Sequence, residues 1–411
     1  MTVDIDKTVF RIACEIRPSV MRKNGKPGFS HVKLATLFAM ACILAMPRTA
    51  WANAGTPLML AHWLHMFVGN FIIGLVEGLA IGLIFRVPKI KAMGLMLLAN
   101  YFSAWAGGYG LTSIFIDDAK LDLYSAWPFF WKMVAVAYLV TLVLEFPFVA
   151  LCFWKKEPWF GKAVLASLLI QTISYAILFG WYYCASATTL YTETQLVELS
   201  DMKLPDDVTL YYISAEDGDV YRQHLGKRDD VKVFDLNSVN HNERLMVQPS
   251  SDDNDRWDLL APITRPGETK AEFVMVHKAF TGEAAPSYQS THEESADRIG
   301  TWFNEGSAPK LADAKDSPWE FEAVFWPWDG LHITKKGGKP TPRIAFETPV
   351  AQWAIRNATH LPGDTVVFQL GRDQICVFHP ETKKLALVAR GRGPVAVIEG
   401  PSYDSSKAAD K

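Results

Sequence analysis

Four polar side chains interrupt apolar stretches in the first half of the sequence at matching depths. They are Glu77, Asn100, Glu145 and Gln171, and each stands nine or ten residues from a basic residue at one end of its stretch. At about 1.5 Å per helical residue this depth is roughly 14 Å, near the middle of a ~30 Å bilayer core. An unpaired carboxylate is costly there, so we expect a polar layer in which Glu77 and Glu145 share a proton or bind a cation. Asn100 and Gln171 would be their hydrogen-bond partners.

The same four side chains also fit a purely structural role. Hydrogen bonds between transmembrane helices contribute about 1 kcal/mol each, and long helices sometimes align polar residues by chance. The sequence leaves both interpretations open. They differ in what a Glu to Gln substitution would do, because only the functional layer predicts that activity is lost while the fold is kept.

The apolar stretches predict an α-helical bundle of four transmembrane helices within residues 53–186. The predicted spans cover about residues 58–85, 92–115, 127–153 and 163–184. The loops after the first and third spans are basic, whereas the loop after the second span is acidic. Because basic loops stay in the cytoplasm, we expect a multi-pass protein of the bacterial inner membrane whose C-terminal half lies on the extracytoplasmic side.

The first span carries two further patterns. Gly74, Gly78 and Gly82 recur every four residues and predict the close approach of a neighbouring helix. His62 and His65 lie three residues apart on one helix face and could offer two metal ligands. Two ligands do not make a site, and amphipathic rings at a membrane interface are the commoner explanation.

Residues 1–52 have the pattern of a signal peptide with a long leader. Residues 34–46 form its apolar core, and Ala50 and Ala52 are small residues suited to signal peptidase cleavage. Met21 begins a leader of ordinary length and is an alternative start. An uncleaved additional helix would leave the predicted topology unchanged.

The two halves of the chain differ in charge. Residues 1–186 carry 16 Lys and Arg against 9 Asp and Glu, while the remaining residues carry 25 against 35. An acidic second half repels phosphate backbones, which argues against nucleic-acid binding. Of the five cysteines only Cys376 lies well inside this half, so a disulfide framework is excluded. Because no zinc-type Cys/His spacing occurs, we predict no cofactor.

After residue 187 short runs of alternating polarity and turn residues predict a separate all-β domain over residues 187–401. The strongest signals are two hairpins, at residues 210–222 around Asp217-Gly218 and at residues 374–389. We expect roughly a dozen short strands, arranged as a propeller-like or sandwich fold because no fixed repeat length decides between them.

Two segments of the second half predict irregular structure. Residues 281–318 are rich in Ala, Glu, Ser, Asp and Pro and are expected to form a long loop. Residues 402–411 are expected to form a polar tail.

Candidate ligand-binding residues in the β domain are few. Trp326 and Trp328 could present aromatic rings to a ligand, although buried Trp between strands is more common. Arg390 and Arg392 could hold an anionic group, and a tight basic turn between strands is the alternative. The remaining histidines after residue 187 stand singly and predict no site.

The familiar nucleophile-elbow, phosphate-loop and HExxH motifs are absent, which weakens the enzyme hypothesis. Our leading hypothesis is a non-enzymatic membrane protein whose external β domain binds a ligand or another membrane or envelope protein and anchors it or relays the event. The alternative is a transporter or membrane-enzyme subunit that uses the intramembrane carboxylates to handle protons or cations.

Overall fold

The computed structural model describes residues 57–111, 121–227, 229–241, 243–251, 255–263, 272–284, 306–324, 330–338, 341 and 343–399. The chain divides into two compact units, Met1–Ala54 and Gly55–Lys411, and all described residues belong to the second. The predicted signal peptide and polar tail lie outside the described residues, so both stay predictions.

Four long helices make up the first part of the described chain. They are α1 (Pro57–Ile84), α2 (Lys89–Leu111), α3 (Ala126–Phe153) and α4 (Trp159–Ala185). Three of them, α1, α3 and α4, are long and apolar enough to cross a membrane. The helix α2 is not one of these three, since it begins with two lysines and contains four glycines. The second predicted span, residues 92–115, therefore stays a prediction, and with it the total of four spans.

The helices α1 and α2 approach each other at the predicted glycine face. A Cβ atom added to Gly74 would lie 2.7 Å from Leu97 Cα, and one added to Gly78 would overlap the backbone of Met93. Only glycine allows this approach, which brings the backbones of the two helices into contact. Glu77, between these glycines in sequence, is thereby held against α2.

The second part of the described chain is all β, as predicted. After a short helix α5 (Thr189–Thr192), the strands are β1 (Gln195–Leu196), β2 (Val208–Ser214), β3 (Val220–His224), β4 (Val231–Phe234), β5 (Met246–Pro249), β6 (Arg256–Ile263), β7 (Glu272–Ala284), β8 (Gly306–Ser307), β9 (Trp319–Val324), β10 (Gly330–Lys335), β11 (Phe346–Glu347), β12 (Gln352–Trp353), β13 (Ile355–Leu361), β14 (Thr365–Leu370), β15 (Gln374–His379) and β16 (Lys384–Glu399). Both predicted hairpins are present, as β2–β3 and β15–β16.

Eleven of these strands form one curled, mainly antiparallel sheet. Its main order is β13-β14-β15-β16-β2-β3-β4, and β16 also pairs with β1 and β7. The strands β8 to β10 form a separate three-stranded sheet, and β11 pairs with β12. The choice between a propeller-like and a sandwich fold stays a prediction.

The strand β16 corrects one interpretation of the sequence. The segment from Arg390 to Pro394 is not a turn between strands but lies inside β16, where the strand changes partner from β15 to β2. Gly393 has a φ of +57°, and the register shifts between Arg392 and Val395. Glycines therefore bend one continuous strand here, and in the sequence this pattern resembles a turn.

The predicted loop at residues 281–318 is shorter at both ends than expected. Residues 281–284 belong to β7, and Gly306–Ser307 form β8, which pairs with β9. Leu311 is fully buried in a cluster that includes Val208 and Leu361. Composition alone did not indicate this, because only a few apolar side chains, Leu311 with Ala308 and Ala314, are buried in a segment that is otherwise polar.

The helices and the β domain share a core, so the β domain is less separate than predicted. Leu123, just before α3, is fully buried with Phe346 and Phe368 of the β domain. Its backbone N–H donates a hydrogen bond of 2.6 Å to Gln374 Oε1, and its carbonyl accepts one of 2.8 Å from the Tyr191 hydroxyl. The β domain is therefore attached to the segment that begins α3.

The end of α4 is attached in the same way. Ala187 and Glu347 exchange backbone hydrogen bonds of 2.9 and 2.7 Å directly after the helix. The Tyr191 ring stacks on Trp127 with centroids 5.2 Å apart, and burial holds the pKa of Tyr191 well above its usual range, so its hydroxyl remains a donor. These contacts link the β domain to the α3–α4 hairpin.

Candidate functional site

Glu77 projects from α1 into the bundle, where only 3% of its surface is exposed. The Asn100 side chain of α2 donates a hydrogen bond of 2.5 Å to Glu77 Oε2. The Ser174 hydroxyl of α4 donates a short hydrogen bond to Glu77 Oε1. Both carboxylate oxygens are thus satisfied by neutral donors from two different helices.

Glu145 of α3 is 1% exposed and has the same type of partners. The Ser103 hydroxyl of α2 donates a hydrogen bond of 2.5 Å to Glu145 Oε1, and the Gln171 amide of α4 donates a short one to Oε2. The structure thus brings the four residues of the polar layer together as two pairs, Glu77 with Asn100 and Glu145 with Gln171. Neither glutamate faces outward.

The two glutamates, the two amides and the two serines form one cluster, which we call the carboxylate cluster. Each glutamate receives one amide and one hydroxyl. The amide comes from the same helical hairpin, α1–α2 or α3–α4, and the serine comes from the other hairpin. The hairpins therefore repeat one arrangement, and each completes the carboxylate site of the other.

Sequence reasoning missed Ser103 and Ser174. Each serine lies three residues after the amide of its helix, so amide and hydroxyl share one helix face. The sequence N-Y-F-S on α2 and the sequence Q-T-I-S on α4 therefore carry the same pair. This repeated spacing was the signal that could have found them, although serine is too common in apolar helices to be a strong signal by itself.

The electrostatics of the cluster are unusual for a purely structural contact. All four donors are neutral, and in the described part of the chain no basic side chain forms an ion pair with Glu77 or Glu145. The two carboxyl groups share helices α2 and α4 as the source of their donors. An ionised carboxylate in such a site is poorly solvated, because only neutral side chains donate to it.

His62 and His65 are brought together by a third residue. The Tyr182 hydroxyl of α4 lies 2.7 Å from His65 Nδ1 and 3.4 Å from His62 Nδ1. Among the described residues no group of three or more His, Cys, Asp or Glu side chains could hold a metal ion. The two histidines thus belong to a hydrogen-bonded group with a tyrosine.

The candidate residues of the β domain are not brought together as a site. Arg390 forms an ion pair of 2.7 Å with Asp373, and the buried Arg392 donates hydrogen bonds to the Ser238 carbonyl and hydroxyl at 2.9 and 2.6 Å. Both guanidinium groups therefore have protein partners. The candidates Trp326 and Trp328 lie outside the described residues.

One histidine that the sequence did not single out stands apart. The His360 side chain on β13 is fully buried, and neither ring nitrogen has a hydrogen-bond partner within the described chain. Its ring packs edge-on against Phe321 with centroids 4.7 Å apart. Burial, helped by the nearby Lys310 ammonium, lowers the pKa of His360 to about 4.

The chain matches no protein-family model, no curated protein and no solved structure. The carboxylate cluster and the fold are therefore the observations from which function is inferred.

Proposed function

We propose that this protein is a multi-pass membrane protein that takes up protons or a small cation at the carboxylate pair formed by Glu77 and Glu145. One observation carries this proposal: two carboxylates are buried in one cluster of the helical bundle, and their hydrogen-bond donors are neutral. Ionisable groups in such a position are costly, and they mark proton and ion sites in membrane proteins.

A structural role explains the amides and serines better than it explains the acids. Hydrogen bonding between helices needs only neutral partners, and each such contact contributes about 1 kcal/mol. Glutamine at both glutamate positions would supply comparable contacts without the desolvation cost of a carboxylate. The desolvation free energy of burying two acids in one layer is explained if the protein uses their protonation or ion binding.

The placement of the protein is part of the proposal. The helix ends far from the β domain carry basic residues, namely Arg86, Lys89, Lys91, Lys155 and Lys156. This charge pattern supports four spans with that end in the cytoplasm and the β domain on the extracytoplasmic, periplasmic side of a bacterial inner membrane. A cleaved signal peptide before the first span fits the same topology.

A hydrophobic carbodiimide tests the cluster directly, because it adds to a protonated carboxyl group in an apolar site and leaves a covalent adduct. We expect adducts on Glu77 or Glu145 in the detergent-solubilised protein. Labelling should fall as the pH rises or when a competing cation is bound, and Glu77→Gln and Glu145→Gln should remove it. The matched control is Glu157→Gln, since Glu157 is an exposed acid outside the cluster.

One combination of results would refute the proposal. If neither glutamate is labelled at any pH, and the two Gln variants fold with a lowered melting temperature only, the cluster is a packing feature. Labelling that responds to pH but not to Na⁺ or Li⁺ would select protons as the bound species.

A second candidate function is supported by the shared core between the bundle and the β domain. Because Leu123 and Tyr191 fix the β domain to the α3–α4 hairpin, a ligand that moves the domain would also move helices. We therefore keep the hypothesis that the β domain binds another membrane or envelope protein and relays that event. Co-purification in mild detergent tests it: a stable partner retained by both Gln variants favours binding over ion handling as the main role.

A further inference from the structure

Polar side chains follow the interface of α1 and α4 from the β-domain end of the bundle, the end at which α4 leads into the β domain. There the Tyr182 hydroxyl lies between the His62 and His65 rings, at 3.4 and 2.7 Å from their Nδ1 atoms. A tyrosine hydroxyl both donates and accepts a hydrogen bond, and a neutral imidazole does the same through its two nitrogens. This group can therefore pass a proton from one ring to the other.

A local change of helix type aligns His65 with the next polar residue. In α1 the residues His65–Gly69 form a π-helical turn, closed by a hydrogen bond from the Asn70 backbone N–H to the His65 carbonyl. Residues five apart point in different directions in an α-helix, which advances about 100° per residue, and the wider π-turn reduces this difference between His65 and Asn70. Such turns frequently occur at functional sites.

Asn70 continues the same face toward the carboxylate cluster. Its side chain is 3% exposed and lies seven residues, or about two turns, before Glu77. On α4, Ser174 donates to Glu77 and lies eight residues before Tyr182. Asn70 and Glu77 on α1, like Tyr182 and Ser174 on α4, are thus separated by roughly 10 Å along the helix axis. A short chain of water molecules can bridge this distance.

The opposite side of the cluster offers a second possible route. Ser167 of α4 lies one turn before Gln171, is 3% exposed, and its hydroxyl has no hydrogen-bond partner among the described residues. Beyond it, toward the basic end, α4 carries apolar residues and then Lys162. This side of the cluster therefore offers one hydroxyl group, whereas the side toward the β domain offers Tyr182, two histidines and Asn70.

We infer that protons reach Glu77 from the β-domain end along Tyr182, His65 and Asn70. The inference rests on the proposed function and names the proton as the species bound. A protonated His62 gives its proton to the Tyr182 oxygen while the Tyr182 proton moves to His65, so one N–H bond is lost and one is gained. Protonated His65 then releases a proton to the Glu77 carboxylate through a chain of water molecules that passes the Asn70 side-chain oxygen, since the Asn70 amide N–H donates to the Met66 carbonyl, and every relay group returns to neutral.

The test follows the exchange of the Glu77 carboxyl proton for deuterium by infrared spectroscopy of the protein in lipid nanodiscs. The carbonyl band of protonated Glu77 is assigned by its loss in Glu77→Gln. We expect Tyr182→Phe, which removes only the hydroxyl, to slow exchange roughly tenfold because one hop of the relay is lost. The matched control is Tyr138→Phe, which removes a tyrosine hydroxyl bonded to Thr172 elsewhere in the bundle and should leave the rate unchanged.

Other results would overturn the inference. Exchange at the wild-type rate in Tyr182→Phe, or slowing by Ser167→Ala alone, would place the proton path elsewhere while leaving the proposed function intact. The absence of any exchanging Glu77 or Glu145 carboxyl band would instead remove the proton form of the proposed function, and the path with it. If Tyr182→Phe does not fold, His65→Gln interrupts the same path and is expected to slow exchange similarly.

Discussion

The buried His360 makes the stability of the β domain depend on pH in a direction that the structure defines. The pKa of His360 is lowered from its usual value of 6.5 to about 4, chiefly by burial, while Asp364 opposes the effect of Lys310. The unfolded chain therefore binds a proton more readily than the folded protein between these values. The contribution of the neutral His360 to the free energy of unfolding is fully present above about pH 6.5 and is lost as the pH is lowered toward 4. Below about pH 4 this group causes no further change.

The size of the effect follows from the shift. A difference of about 2.5 pKa units at about 1.4 kcal/mol per unit gives a loss of roughly 3 kcal/mol across this range. Replacing His360 with Leu keeps the volume similar and removes two ring nitrogens without partners. We expect His360→Leu to be at least as stable as the wild type at pH 7.5 and to lose this part of the pH dependence.

The assay is thermal unfolding followed by tryptophan fluorescence at a series of pH values for the wild type and the variant. Carboxyl groups also titrate in this range, so the decisive quantity is the difference between the two curves. The control is His379→Leu, which changes a histidine that is partly exposed on β15. Parallel curves for wild type and His360→Leu would show that His360 does not titrate differently in the folded and unfolded states and would refute the reasoning.

Two further predictions concern packing. Gly78→Ala should lower the free energy of unfolding of the bundle in detergent by about 1–3 kcal/mol, because the added methyl group meets the Met93 backbone. The control Gly94→Ala has open space around the added methyl group and should be neutral or slightly stabilising. Equal effects of the two substitutions would contradict the close approach of α1 and α2. Gln374→Ala should lower the free energy of unfolding by about 1–3 kcal/mol, because it leaves the buried Leu123 N–H unpaired. If calorimetry finds unchanged unfolding, this contact does not hold the β domain to α3.

Features that depend on neighbouring residues in the sequence were predicted well. Hydropathy located the long helices, and the Asp217-Gly218 turn located the β2–β3 hairpin. The comparable depth of Glu77 and Glu145 is inferred from the constant rise of a helix per residue and stays a prediction. Such features need no knowledge of how distant segments pack.

Features that depend on helix rotation and on long-range packing were not predicted. The sequence could not show that Ser174 would face Glu77, since it lies 97 residues away on another helix. A turn between strands was one of two interpretations of residues 390–394, and the bend of β16 at Gly393 was not predicted because glycine occurs in both settings. His360 resembled every other isolated histidine, because its burial is decided by strands that come from separate parts of the chain.

The arrangement of donors shows how the two glutamates depend on both hairpins. In each hairpin the first helix supplies the acid, and the second supplies an amide and a serine three residues later. The amide donates to the acid of its own hairpin, whereas the serine donates to the acid of the other hairpin. Each hairpin therefore supplies one donor to each of the two carboxylates. A single hairpin would leave one oxygen of its carboxylate without a donor in the bilayer, a loss of several kcal/mol. The cluster is therefore complete only when both hairpins pack together.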